Sequence, residues 1–100
     1  MDEPSVREYG ELVDLLLAVP GMHDPVFRQQ MYDLLPGAVR AQLPRPGVAR
    51  VELVSVTATL WRYRHLRTWQ ALGDALTLLA PRDPAVVRLL PRLAAFDGVA

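Results

Sequence analysis

Three Pro-Gly pairs, Pro20-Gly21, Pro36-Gly37 and Pro46-Gly47, and two Asp-Pro pairs, Asp24-Pro25 and Asp83-Pro84, punctuate this chain. Proline removes a backbone donor and fixes φ, so neither a helix nor a sheet ladder runs freely through it. The chain can therefore fold only from short elements joined by tight turns. Between the breaks the apolar residues recur at threes and fours, which gathers them on one helical stripe.

Ser5 followed by Glu8 reads as a capping box that opens a first helix. Val6, Tyr9, Leu12, Val13, Leu16 and Leu17 form its stripe, and Pro20-Gly21 stops it. Asp24 caps a second helix with Pro25 at its first position, and Phe27, Met31, Leu34 and Leu35 form the buried face. A short third helix is predicted over Ala38 to Leu43, before Pro44. From Gly47 to Trp61 the pattern is double. Val54, Val56, Ala58 and Leu60 alternate with polar residues as a strand would, while Val51, Val54, Ala58 and Trp61 fit a helix. A lone strand has no partner for its backbone groups, so the segment is read as a fourth helix. Leu66, Trp69, Leu72, Leu76 and Leu79 mark a fifth, with Gly73 inside it suggesting a tight crossing. The sixth starts at Asp83-Pro84, carries Val86, Leu89, Leu90, Leu93 and Phe96, and should be kinked or ended by Pro91. The expected fold class is all-α, a compact six-helix bundle.

With 51% apolar residues, the 100-residue chain has enough to bury a core as one domain over 1–100, the core spanning about 5–97. It has no cysteine, which excludes disulfides, thiol nucleophiles and zinc–thiolate sites, and makes the cytoplasm the expected location. The acidic, polar amino terminus is unlike a signal peptide, and no run reaches the roughly 18 apolar residues of a membrane span. The charge is uneven. Residues 1–24 hold six acids and one arginine, net −5, and residues 40–92 hold nine arginines and three acids, net +6. Such a chain can attract a copy of itself through opposite faces.

Chemistry is harder to find. His23-Asp24 could be half of a general-base pair, but the serines are Ser5, which has a capping role, and Ser55, in an apolar segment. His65 is 42 positions from His23, and neither has a ligand partner at helical spacing. Glu11 and Asp14, three apart, could serve a hydrolase as a carboxylate pair, but a solvated helix face explains them as well. No Gly-rich phosphate loop is present. No catalytic, cofactor-binding or metal-binding residue is assigned. The concentrated feature is "WRYRHLRTW", Trp61 to Trp69, with Arg62, Arg64 and Arg67 among aromatics. Such a cluster suits single-stranded nucleic acid, but the chain is neutral overall and both tryptophans fall on buried stripes. A basic protein-docking patch is the preferred reading, with a nucleic-acid-binding regulator as the alternative.

The stretch "LVDLLLAVPGMHDPVFRQQMYDLLP", Leu12 to Pro36, resembles the opening of the bacterial effector-associated domain family of type 2, small helical modules of the Death-fold kind. The "LPR" at Leu43 to Arg45 and the terminal "DPAVVRLLPRLAAF" extend the resemblance to about residues 5–97. It implies a non-catalytic adaptor that recruits or clusters an effector, such as a peptidase or signalling NTPase, in bacterial anti-phage defence by binding like domains. The expected interface comprises the acidic Glu8, Glu11 and Asp14, the corner residues Met22 and His23, and the basic Arg62, Arg64 and Arg67. An acidic helix on one molecule meeting a basic patch on the next would make a head-to-tail contact.

Overall fold

The computed structural model describes residues 3–45 and 47–97. Six α-helices follow one another: α1 (Val6–Leu17), α2 (Pro25–Asp33), α3 (Gly37–Arg40), α4 (Ala49–Arg62), α5 (Thr68–Leu79) and α6 (Pro84–Phe96), with a 3₁₀ turn at Arg64–Leu66 between α4 and α5. No strand occurs among the described residues.

Three of the helix starts, those of α1, α2 and α6, are fixed by side-chain caps. Ser5 Oγ accepts from the Glu8 N–H at 3.1 Å while Glu8 Oε1 accepts from the Ser5 N–H at 3.0 Å, completing the capping box of α1. Asp24 and Asp83 cap α2 and α6 by accepting from Val26 and Ala85, each with proline at the first helical position. In α4 the helical alternative prevails, and its threonines show how. Thr57 Oγ1 donates to the Val54 carbonyl and Thr59 Oγ1 to the Ser55 carbonyl, so the helix itself satisfies hydroxyls that are otherwise buried.

Helix α1 lies between α4 and α6, and α5 packs on α6. Both α4 and α6 run antiparallel to α1. Arg50 at the start of α4 meets Asp14 near the end of α1, and Phe96 at the end of α6 stacks on Tyr9 near the start of α1. The core is built from Leu12, Val13 and Leu16 of α1, Leu53, Val56 and Leu60 of α4, Trp69, Leu72 and Leu76 of α5, and Val86, Leu89 and Leu93 of α6.

Several expectations need correction. Val6 is 90% exposed, because the first turn of α1 extends beyond the core. Leu34 and Leu90 are also exposed, as is Leu66, which lies outside α5 on the 3₁₀ turn. The first half of the α4 stripe is out of phase: Val51 and Val54 face outward while Trp61 is buried as expected, and the buried side also carries Glu52, Leu53, Val56, Thr57 and Leu60. Helix α3 ends at Arg40 and not at Leu43, since the N–H groups of Gln42 and Leu43 bond three residues back and Leu43 precedes a proline. Pro91 does not end α6, which continues to Phe96. Proline there leaves the Val87 carbonyl without a helical partner, but both residues are exposed and water can reach it.

Candidate protein-docking surface

The charged residues singled out from the sequence divide into two groups, and the geometry changes what each can do. On α1, Glu8, Glu11 and Asp14 are all exposed. Asp14 is held by Arg50 at 2.7 Å, and Glu11 by Arg7 at 3.3 Å and Arg92 at 3.7 Å. Two acids of α1, Glu11 and Asp14, are therefore paired with arginines of the same chain, and that part of the acidic face is neutralised inside the molecule. Glu8 has no cationic partner among the described residues, and its capping bond to Ser5 fixes where the carboxylate sits.

At the α1–α2 joint the expectation for Met22 fails. It is 0% exposed, a core residue, and only its neighbour His23 faces solvent. The joint is tight because Phe27 packs over Gly21; an added Cβ would stand 2.6 Å from Cγ and 2.8 Å from Cε2 of that ring.

Arg62, Arg64 and Arg67 are exposed at the far end of the bundle. Arg64 donates to the Trp61 carbonyl at 2.9 Å and stacks over the Trp61 ring at 4.1 Å, covering it, and Trp69 is fully buried. The tryptophans are core, as the stripes implied, and offer no free face for base stacking. Arg67 adopts a left-handed backbone, φ 58°, unusual for a residue with a side chain. The turn is clamped around it: Thr68 Oγ1 donates to the Leu60 carbonyl at 2.7 Å, and Arg67 donates to Gln70 at 2.9 Å. Leu66, 37% exposed, lies on that clamped turn, between Arg64 and Arg67 in the sequence.

This basic turn shares one end of the bundle with the start of α1 and the end of α6. Trp69 packs on Phe96 with ring centroids 5.1 Å apart, and Phe96 on Tyr9 at 6.4 Å. The Tyr9 hydroxyl is pushed up by burial and by the Glu3 charge, against the opposing effect of Arg64. Beside Phe96 a groove of about 170 Å³ opens between α1 and α6, floored by Pro4, Leu12, Leu15 and Phe96 and rimmed by Glu8, Glu11 and Arg92. A second groove, about 390 Å³, runs between α5 and α6 over Gly73, where Leu90 and Leu93 approach.

A polar cluster inside the bundle escaped the sequence reading. Arg28 Nε and Tyr32 Oη both donate to Glu52 Oε2, at 2.7 and 2.6 Å, and Arg28 Nη1 donates to the Met22 carbonyl at 2.9 Å. Burial raises the Tyr32 hydroxyl strongly, and the bond to Glu52 adds to this. Burial alone would raise the Glu52 carboxyl as well, but the bonds from Tyr32 and Arg28 and the Arg28 charge outweigh it and hold it below its ordinary value. The cluster ties the α1–α2 joint to the first turns of α4, so it is structural. A signal was present: Arg28, Met31, Tyr32 and Leu35 are spaced three, four and seven, a helical stripe hidden by its charged first member.

Among the described residues no three His, Cys, Asp or Glu side chains gather where they could hold a metal ion, and His23 and His65 lie at opposite ends of α1. The chain belongs to the effector-associated domain 2 family, whose model matches residues 13–95. Comparisons with curated proteins and with solved structures give no match.

Proposed function

We propose that this chain is a single, non-catalytic adaptor domain with a Death-fold-like arrangement of helices. It recruits or clusters an effector, such as a peptidase or signalling NTPase, in bacterial anti-phage defence by binding like domains. The family match over residues 13–95 carries this reading. The clamped basic turn supports it, because a rigid surface loses little conformational entropy on docking. Of the acidic and basic residues expected at the interface, Glu8 and Arg62 are the better probes, since neither makes an ion pair within the described chain.

The test is capture of effector-linked like helical domains on the immobilised chain at low and high salt, followed by binding assays with Arg62→Glu and Glu8→Arg. Salt-sensitive capture, weakened by either reversal, supports the adaptor. Retention of a single-stranded oligonucleotide with no capture of like domains would support the nucleic-acid alternative, which needs aromatic faces other than Trp61 and Trp69.

A further inference from the structure

The groove between α1 and α6 has an apolar floor, and its rim carries the fixed Glu8 carboxylate and the Glu11–Arg92 pair. Its volume, about 170 Å³, compares with the ~150 Å³ cavity that accommodates a benzene ring, so it has room for one branched aliphatic or small aromatic group. The turn carries one such group, the 37% exposed Leu66, within the same six residues as the exposed Arg62, Arg64 and Arg67. An apolar side chain flanked in sequence by arginines suits an apolar groove with an open carboxylate on its rim, the combination of apolar contact and opposite charge that small specific interfaces use.

We infer that the α1/α6 groove is the socket for Leu66 of a second copy of this chain, with the flanking arginines of that copy reaching Glu8. The inference rests on the adaptor reading and names the surface it uses. It also sets the symmetry. Socket and turn lie at the same end of the bundle, joined through the contacts of Tyr9, Phe96 and Trp69. A two-fold axis between two copies meeting at that end exchanges both contacts at once, and the inferred assembly is that closed dimer in place of the open head-to-tail chain expected from the charge sequence. Val6, 90% exposed at the start of α1, adds apolar surface at the same end. Arg92, at the other side of the groove, is held to Glu11 and leaves Glu8 as the open carboxylate. The patch is small, so the dimer is weak and salt-sensitive.

Sedimentation equilibrium of the intact chain over a dilution series, at about 0.05 M and 0.5 M salt, reads the assembly directly. The expected result is a monomer–dimer equilibrium that weakens with salt and does not grow beyond two. Leu66→Asp removes the knob and Ala95→Phe fills the groove; both positions are exposed, and circular dichroism checks that each variant folds. Each should weaken the dimer by about 30-fold or more, the effect of losing a central anchor. Val54→Asp, on the exposed face of α4, should leave it unchanged. Dimerisation that survives Leu66→Asp or Ala95→Phe overturns the assignment, as does loss of the dimer in Val54→Asp. Growth beyond two overturns the symmetry. A chain that stays monomeric yet captures another like domain overturns this inference and leaves the adaptor reading standing.

Discussion

Removing the Arg28 side chain alone would strand the Glu52 carboxylate inside the bundle, next to a tyrosine that can donate only one hydrogen bond. Breaking a buried pair from one side costs about 3–5 kcal/mol, so Arg28→Met should lower the urea midpoint severely. Replacing the cluster whole, with Arg28→Met, Tyr32→Phe and Glu52→Leu together, should recover most of that loss, because no desolvated charge remains. The same carboxylate sets a pH dependence. Its folded pKa lies below the unfolded one, so its stabilisation is complete above the ordinary glutamate value of about 4.3 and is lost as pH falls through the lower, folded value. Urea midpoints measured from pH 7 to pH 3 should fall more steeply for the wild type than for Glu52→Gln. Asp97 acts in the opposite sense: burial raises it, with Arg67 and the Gln70 backbone opposing, so its protonation favours the folded state as pH falls. Gly21 is the third sensitive position. Gly21→Ala drives a methyl into the Phe27 ring and should destabilise by about 1–3 kcal/mol, an overpacking cost readable as a drop in Tm.

At the scale of helices, two small-residue or breaker positions should behave oppositely to Gly21. Pro91→Ala restores an N–H to the Val87 carbonyl in the middle of α6 and should raise stability by about 1–3 kcal/mol in thermal unfolding. Gly73→Ala places a methyl 3.2 Å from Leu90 Cδ2; that side chain is partly exposed and can move a few tenths of an ångström, so the helix-propensity gain of up to about 1 kcal/mol should prevail. The helices themselves were legible in the sequence because their ends are chemical: Ser5 with Glu8, Asp24 with Pro25, Asp83 with Pro84. Which side of α4 faces inward was not. Its buried stripe contains a glutamate and threonines that become acceptable inside only through bonds to Arg28, Tyr32 and the helix's own carbonyls, and apolar periodicity sees none of these. The candidate surface was half legible. Glu8 and the arginines are exposed as expected, whereas Met22 is core and Leu66 lies outside α5, on the 3₁₀ turn that ends at the left-handed Arg67.

Across the whole molecule, the antiparallel packing of α1 lays two of its acids, Asp14 and Glu11, against Arg50 of α4 and Arg92 of α6, so part of the charge contrast between residues 1–24, net −5, and 40–92, net +6, is neutralised within the chain. These are exposed pairs, and Asp14→Asn should change stability by less than about 1 kcal/mol. The same packing has a topological consequence. Pro4 and Phe96 line one groove, so positions 92 residues apart along the chain are neighbours in space. A short glycine–serine linker from Asp97 to Glu3, with a new opening between Pro81 and Arg82 in the exposed α5–α6 turn, would give a circular permutant in which every helix keeps its neighbours. If it melts cooperatively with a native-like spectrum, the architecture belongs to the packing of the six helices and not to the order in which the chain visits them.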